Sequence, residues 1–207
     1  TGVESFHADI LTGFSGSLID RVSAALTGKT YSGDDITLTL DASLSRYIAS
    51  VFPSGYEGAV CLINYKTGEI LAMVSFPNYD PQALLDTRSY STEGSSYFNR
   101  CLQGQYTPGS VFKIVTLASA ITHDPGVVQQ PFSCAGTWEY EGGRIVCLGN
   151  TSHGQVDLLT AFKKSCNVTF GKLAYQLGLD RMKETAERFG FNENFKFGDF
   201  VVYNSAF

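Results

Sequence analysis

Charge is scarce in this chain: 17% of its 207 residues are Asp, Glu, Lys or Arg, and the 15 basic ones are outnumbered by 20 acidic. A net charge of −5 leaves no basic face for a polyanion, which excludes nucleic acid as a partner. No apolar run approaches the ~18–20 residues of a membrane span, and no signal-peptide pattern opens the sequence. Internal repeats and low-complexity tracts are missing. The five cysteines, 61, 101, 134, 147 and 166, include no C-x-x-C pair and no Cys/His cluster with zinc spacing, so no metal is expected. What is present is core material: 43% hydrophobic residues, with 15 Phe and 11 Tyr, point to a packed globular protein.

Chemistry concentrates in two places. Residues 105–113 read Gln-Tyr-Thr-Pro-Gly-Ser-Val-Phe-Lys, with Ser110 and Lys113 three residues apart where a Pro-Gly turn meets an apolar helix. Positions i and i+3 share a helix face, with Cβ atoms ~5–6 Å apart, so a hydroxyl nucleophile gains an amine beside it. In the first helical turn, free N–H groups and the positive dipole end favour an alkoxide or oxyanion at Ser110. Desolvation against Phe112 and Ile114 lowers the lysine pKa and lets Lys113 accept a proton. The second place is Ser165-Cys166-Asn167, between apolar-periodic stretches 156–162 and 168–177, which reads as a junction of two helices aiming short polar side chains at a cleft.

The remaining pattern sets the scaffold. Residues 1–34 read as a linker with a helical stretch near 17–26. The alternation at 35–40 predicts a half-buried strand, and Asp41 caps a helix to Phe52. Apolar runs 59–63 and 70–74 flank Lys66-Thr67-Gly68 as a β-hairpin with Gly68 at positive φ, which removes Lys66 from the site. An irregular stretch follows from 78 to 105. From Val156 onward the pattern is helical, including an amphipathic segment at 179–189, before an irregular Phe/Gly-rich end. Cys61 reads as strand core and Cys166 as packed. Cys134 and Cys147 bracket a hairpin around Gly142-Gly143 and should lie close, bridged or not. His7 and His123 read as surface residues, and His153 as a turn-shaping one.

Tyr-x-Pro-Gly-Ser-x-Phe-Lys with apolar residues at 114–118 resembles the S-x-x-K nucleophile motif of penicillin-binding proteins, and Ser165-Cys166-Asn167 resembles their S-x-N element. His153-Gly154-Gln155-Val156 is similar to the family's approach to that element. The run Asp35-Ile36-Thr37-Leu38-Thr39-Leu40-Asp41 resembles the opening of class B members, and Thr67 to Pro77 matches their hairpin. The resemblance implies an α+β fold of the penicillin-binding-protein transpeptidase and serine β-lactamase type. Residues 1–34 would precede the catalytic domain and 35–207 would form its N-terminal portion. No K-T-G or K-S-G follows Asn167, so the domain is expected to be truncated before its C-terminal strands, with an uncovered hairpin edge, a tendency to self-associate and impaired acylation.

The activity implied is a D,D-transpeptidase acting on peptidoglycan stem peptides ending in D-Ala-D-Ala and acylated by β-lactam antibiotics. In that reading Ser110 attacks, Lys113 is the base, Ser165 relays a proton to the leaving amine and Asn167 holds the substrate amide, with no cofactor. The full-length protein would be membrane-anchored, extracytoplasmic and associated with cell-wall synthesis machinery. A D,D-carboxypeptidase, a serine β-lactamase, a β-lactam sensor or a non-catalytic scaffold domain are the alternatives.

Overall fold

The computed structural model describes residues 2–13, 18–28, 33–80, 95–193, 196–197 and 200–207. It divides into two compact units, Thr1–Gly104 with Lys196–Tyr203, and Gln105–Phe195 with Asn204–Phe207. Among the described residues no helix is long and apolar enough to cross a membrane.

The first unit is built on an antiparallel hairpin of β1 (Gly58–Ile63) and β2 (Ile70–Phe76), with Val60 opposite Val74 and Leu62 opposite Ala72. Gly68 supplies the turn at φ 78°, and its N–H donates to the Asn64 carbonyl at 2.7 Å. The Lys66-Thr67-Gly68 segment is therefore a turn, as its flanks imply. Leu18–Thr27 forms helix α1, and Ala42–Val51 forms α2, where the Asp41 carboxylate accepts the N–H groups of Ser43 and Leu44 at 2.7 and 2.9 Å. That cap satisfies donors the helix itself leaves free. Ile48 of α2 is buried with Ala72 and Phe76, and the Phe52 ring stacks on Phe76 with centroids 3.8 Å apart.

Several expectations for this unit need correction. Residues 35–40 form no strand: only Thr39 and Asp41 reach β2, donating to the carbonyls of Ile70 and Leu71, while Leu38 and Leu40 stay exposed. Alternation chooses which side chains share a face, but a strand also needs a neighbour for its backbone groups. Cys61 is exposed on β1 rather than in the core. The supposed linker contains single helical turns at Val3–Phe6 and Ala8–Leu11, and the irregular 78–105 stretch holds short helices at Ser95–Tyr97 and Arg100–Gln103, while 81–94 lies outside the described residues. The chain end is not wholly irregular, because Lys196–Phe197 pairs with Phe200–Val201.

The second unit packs helix α3 (Lys113–His123) against the long helix α5 (Asn167–Arg188), with α4 (Leu158–Lys163) before it. Ala120, Phe132, Leu158, Val168, Phe170 and Leu173 belong to one buried cluster. Gly178, at φ 76° and ψ 170°, breaks α5 where the sequence separates its two periodic segments. Two small antiparallel pairs flank the helices: β3 (Phe132–Cys134) with β6 (Gly154–Val156), and β4 (Thr137–Tyr140) with β5 (Gly143–Val146). Val156 thus ends a strand, and the helical region begins two residues later than its apolar period suggests. His123 is half-buried rather than a free surface residue, with Nε2 3.9 Å from the Glu184 carboxylate.

Candidate active site

Pro108 and Gly109, the latter at φ 55°, turn the chain into a single 3₁₀ turn, Gly109–Phe112, and the α-helix begins only at Lys113. Ser110 therefore sits in the 3₁₀ lead-in instead of the first α-helical turn. With three residues per turn this geometry eclipses i and i+3, which brings the two side chains closer than an α-turn does. Lys113 Nζ lies 3.0 Å from Ser110 Oγ.

Ser165 closes the junction between α4 and α5 at φ 50°, a left-handed conformation that leaves its own N–H bonded to the Phe162 carbonyl and the Cys166 N–H bonded to that of Ala161. Both satisfy carbonyls that the end of a helix leaves open. The turn aims Ser165 and Asn167 at the same lysine. Lys113 Nζ is 2.8 Å from Ser165 Oγ, 2.9 Å from the Ser165 carbonyl and 2.6 Å from Asn167 Oδ1, and Ser165 Oγ donates to Ser110 Oγ at 3.0 Å. Asn167 Nδ2 donates to the Val146 carbonyl on β5 at 2.8 Å. All four residues singled out in the sequence, Ser110, Lys113, Ser165 and Asn167, meet within one bonded cluster.

An ammonium has three protons, and this one faces four acceptors. Burial holds the Lys113 pKa below the ordinary 10.5, against an opposing pull from the thiols of Cys166 and Cys147. Once neutral, the amine offers a lone pair to the Ser110 hydroxyl. Ser165 Oγ, bonded to both Nζ and Ser110 Oγ, gives a proton a second path between the amine and the Ser110 hydroxyl.

Behind Asn167 lies a group that the sequence reading missed. Cys134 Sγ is 3.6 Å from Cys147 Sγ and 3.4 Å from His153 Nδ1. Cys147 Sγ is 3.7 Å from the same nitrogen and 3.8 Å from Cys166 Sγ. The hairpin does bring Cys134 and Cys147 together, and both are free thiols. The four ligand atoms lie within 4.8 Å of one another, a Cys₃His set of the kind that suits zinc. This overturns the expectation of no metal-type cluster. The donors come from four separate segments, so their separations along the chain (147 − 134 = 13, 153 − 147 = 6, 166 − 153 = 13) match no compact zinc motif. His153 does more than shape a turn, since its ring faces the sulfurs. Burial opposes ionisation of Cys134, but N–H groups of His153 and Gly136 and bonds to Cys166 and His153 bring its pKa down to about 6.

The family model of the penicillin-binding protein transpeptidase domain matches residues 58–203. The peptidoglycan D,D-transpeptidase MrdA of Escherichia coli (strain K12) is 30% identical, over 92% of this chain and 32% of that protein. The peptidoglycan D,D-transpeptidase PbpA of Mycolicibacterium smegmatis is also 30% identical, over 92% of this chain and 43% of the relative. The chain therefore spans less than half the length of these curated relatives. Among solved structures, the imipenem acyl-enzyme complex of penicillin-binding protein A from M. tuberculosis superposes with a TM-score of 0.87 at 27% identity, covering the whole of this chain and 52% of the other. The D,D-transpeptidase domain of a peptidoglycan glycosyltransferase from Eggerthella lenta gives 0.77 at 31% identity, covering 100% of this chain and 45% of that one.

Proposed function

This chain belongs to the penicillin-binding protein transpeptidase-domain family, and we propose that it carries the acylating centre of a peptidoglycan D,D-transpeptidase. The single observation that carries this reading is Lys113 Nζ bonded at once to Ser110 Oγ, Ser165 Oγ and Asn167 Oδ1. Ser110 Oγ attacks the carbonyl of the penultimate D-Ala of a stem peptide while Lys113 takes its proton. The tetrahedral adduct collapses by expelling the terminal D-Ala, whose amine receives a proton through Ser165. An acceptor amine from a neighbouring stem then attacks the ester, gives up a proton along the same route and releases Ser110. A β-lactam enters the first step because its ring carbonyl imitates the D-Ala-D-Ala amide, and its leaving group stays tethered.

Asn167 uses one Oδ1 lone pair on Lys113 and one Nδ2 proton on Val146. A second lone pair and a second proton remain for a substrate amide. The whole protein is placed by this reading outside the cytoplasmic membrane, anchored to it, among the machinery that builds the cell wall.

A fluorescent penicillin tests the assignment. In the whole protein it should label Ser110 covalently, Ser110→Ala should abolish the label, and Lys113→Ala should slow it by the ~10²–10⁴ that a positioned base contributes. Undiminished labelling of Ser110→Ala would refute the nucleophile. Slow release of the label supports transpeptidase chemistry, whereas rapid turnover would point to a hydrolase.

A further inference from the structure

We propose that the outer edge of β5 is a docking strand for the substrate peptide: the residues upstream of its D-Ala-D-Ala pair add to the β4–β5 hairpin as a third strand, through the backbone of Arg144 and Val146. The phase of the ladder exposes that edge. Opposite residues of an antiparallel pair alternate between those that exchange both backbone hydrogen bonds and those that exchange none. Just beyond Val146 the Cys147 N–H donates to the Gly136 carbonyl at 2.9 Å, in the register that sets Thr137 opposite Val146. Alternation then makes Trp138–Ile145 and Tyr140–Gly143 bonded pairs and leaves Thr137–Val146 and Glu139–Arg144 unbonded. The N–H and C=O groups of Arg144 and Val146 therefore point away from β4. Among the described residues one of these four groups has a partner, the Val146 carbonyl, which accepts Asn167 Nδ2 at 2.8 Å. Arg144 and Val146 are exposed, while Ile145 between them turns inward over Gly171.

The occupant is chosen by Asn167. The Arg144 N–H, the Arg144 C=O and the Val146 N–H continue along the chain from the bond that fixes the Asn167 amide. In the transpeptidase reading, on which this proposal rests, that amide keeps one lone pair and one proton for an amide of the substrate. A peptide held there in extended form brings its next amides beside β5. An N–H of the peptide then donates to the Arg144 carbonyl, and a peptide C=O accepts one of the outward N–H groups. Strand addition of this kind takes its affinity from main-chain bonds. It also covers an edge that would otherwise invite pairing with another chain. Penicillin carries no further peptide beyond its side-chain amide, so it reports on the acylating centre and not on the edge.

The test uses the whole protein, with the adduct on Ser110 read by mass spectrometry. Two donors are compared: acetyl-D-Ala-D-Ala, whose one upstream amide meets Asn167, and the same pair extended upstream by three alanines, which add main chain and almost no side chain. The extended donor should acylate more efficiently, by the about two- to tenfold that each neutral hydrogen bond contributes. Methylating the amide nitrogens of the extension one at a time should remove gain at the amide that meets the Arg144 carbonyl. Arg144→Pro puts a ring where the outward hydrogen stood, a substitution that edge strands accommodate, and should bring the extended donor down to the short one. Arg144→Ala keeps the backbone and should keep the gain. The ratio of the two donors on one protein cancels any general change in rate. An extended donor no faster than the short one, a gain that survives every methylation or survives Arg144→Pro, or equal losses in Arg144→Ala and Arg144→Pro would each overturn the proposal. The methylated series on the wild type decides it even if Arg144→Pro does not fold. If penicillin and both donors leave Ser110 unmodified, the transpeptidase reading itself falls, and this proposal with it.

Discussion

Lys113 is the residue on which the other three converge, and its burial sets a pH dependence. Its pKa is lowered from 10.5, so the neutral base becomes available at lower pH than for a free lysine. The rate of acylation by penicillin should rise with pH and level off below 10.5. A rise that plateaus only at the ordinary value would show that burial does not tune this amine. Stability follows the same titration. Below the lowered pKa the buried charge exerts its full penalty, and between that value and 10.5 the unfolded chain binds the extra proton, so stability increases with pH across this window. Ser165 presents a different conflict, because a left-handed conformation costs a non-glycine residue ~1–2 kcal/mol while the hydroxyl must stay. Saturation mutagenesis at 165 scored for protein abundance should accept Gly and Asn. The same library scored for penicillin labelling should return Ser. Agreement between the two scores would mean that the hydroxyl has no chemical role.

At the scale of elements, α5 and the β4–β5 hairpin are fitted closely enough to test. A Cβ at Gly171 would stand 2.3 Å from Ile145 Cδ1 and 3.5 Å from its Cγ atoms. Gly171→Ala should push the hairpin off the helix, disturb the Val146–Asn167 bond, and cost ~1–3 kcal/mol through overpacking. Adding Ile145→Val removes the clashing methyl and should restore part of both the melting temperature and the acylation rate; a double variant no better than Gly171→Ala would locate the damage elsewhere. Elements with their own local signals were legible in the sequence. Asp41 announces α2, Gly68 the hairpin turn, Gly142-Gly143 the β4–β5 turn and Gly178 the break in α5. The S-x-x-K and S-x-N residues were legible because each pair of positions is local. Features that depend on partners distant in sequence were not. Residues 35–40 carry a strand's alternation without a ladder to join, and the four zinc-type donors become neighbours only when four segments fold together.

The whole molecule holds two cores of unequal size. Among the described residues, the first unit buries Ile48, Ala72 and Phe76 together, while the second buries a cluster running from Ala120 to Met182 that includes Val168, Phe170 and Leu173. Apolar burial is the main favourable contribution to folding, and regions with little of it open at lower free energy. Hydrogen exchange should therefore proceed earlier in the amides of β1 and β2 than in those of α3 and the first half of α5. Simultaneous exchange of both regions would indicate one cooperative unit. The division has a further meaning for how such genes recombine. The four side chains of the proposed acylating centre and the four donors of the thiol cluster all fall on the Gln105–Phe195 side of the boundary. A crossover between related genes at Gly104 would move both sets intact, and the local mismatch it created would fall on the returning segment, where the Tyr203 N–H donates to the Leu102 carbonyl. Mosaic descendants of this chain can thus inherit both side-chain clusters from one parent and a hairpin scaffold from the other.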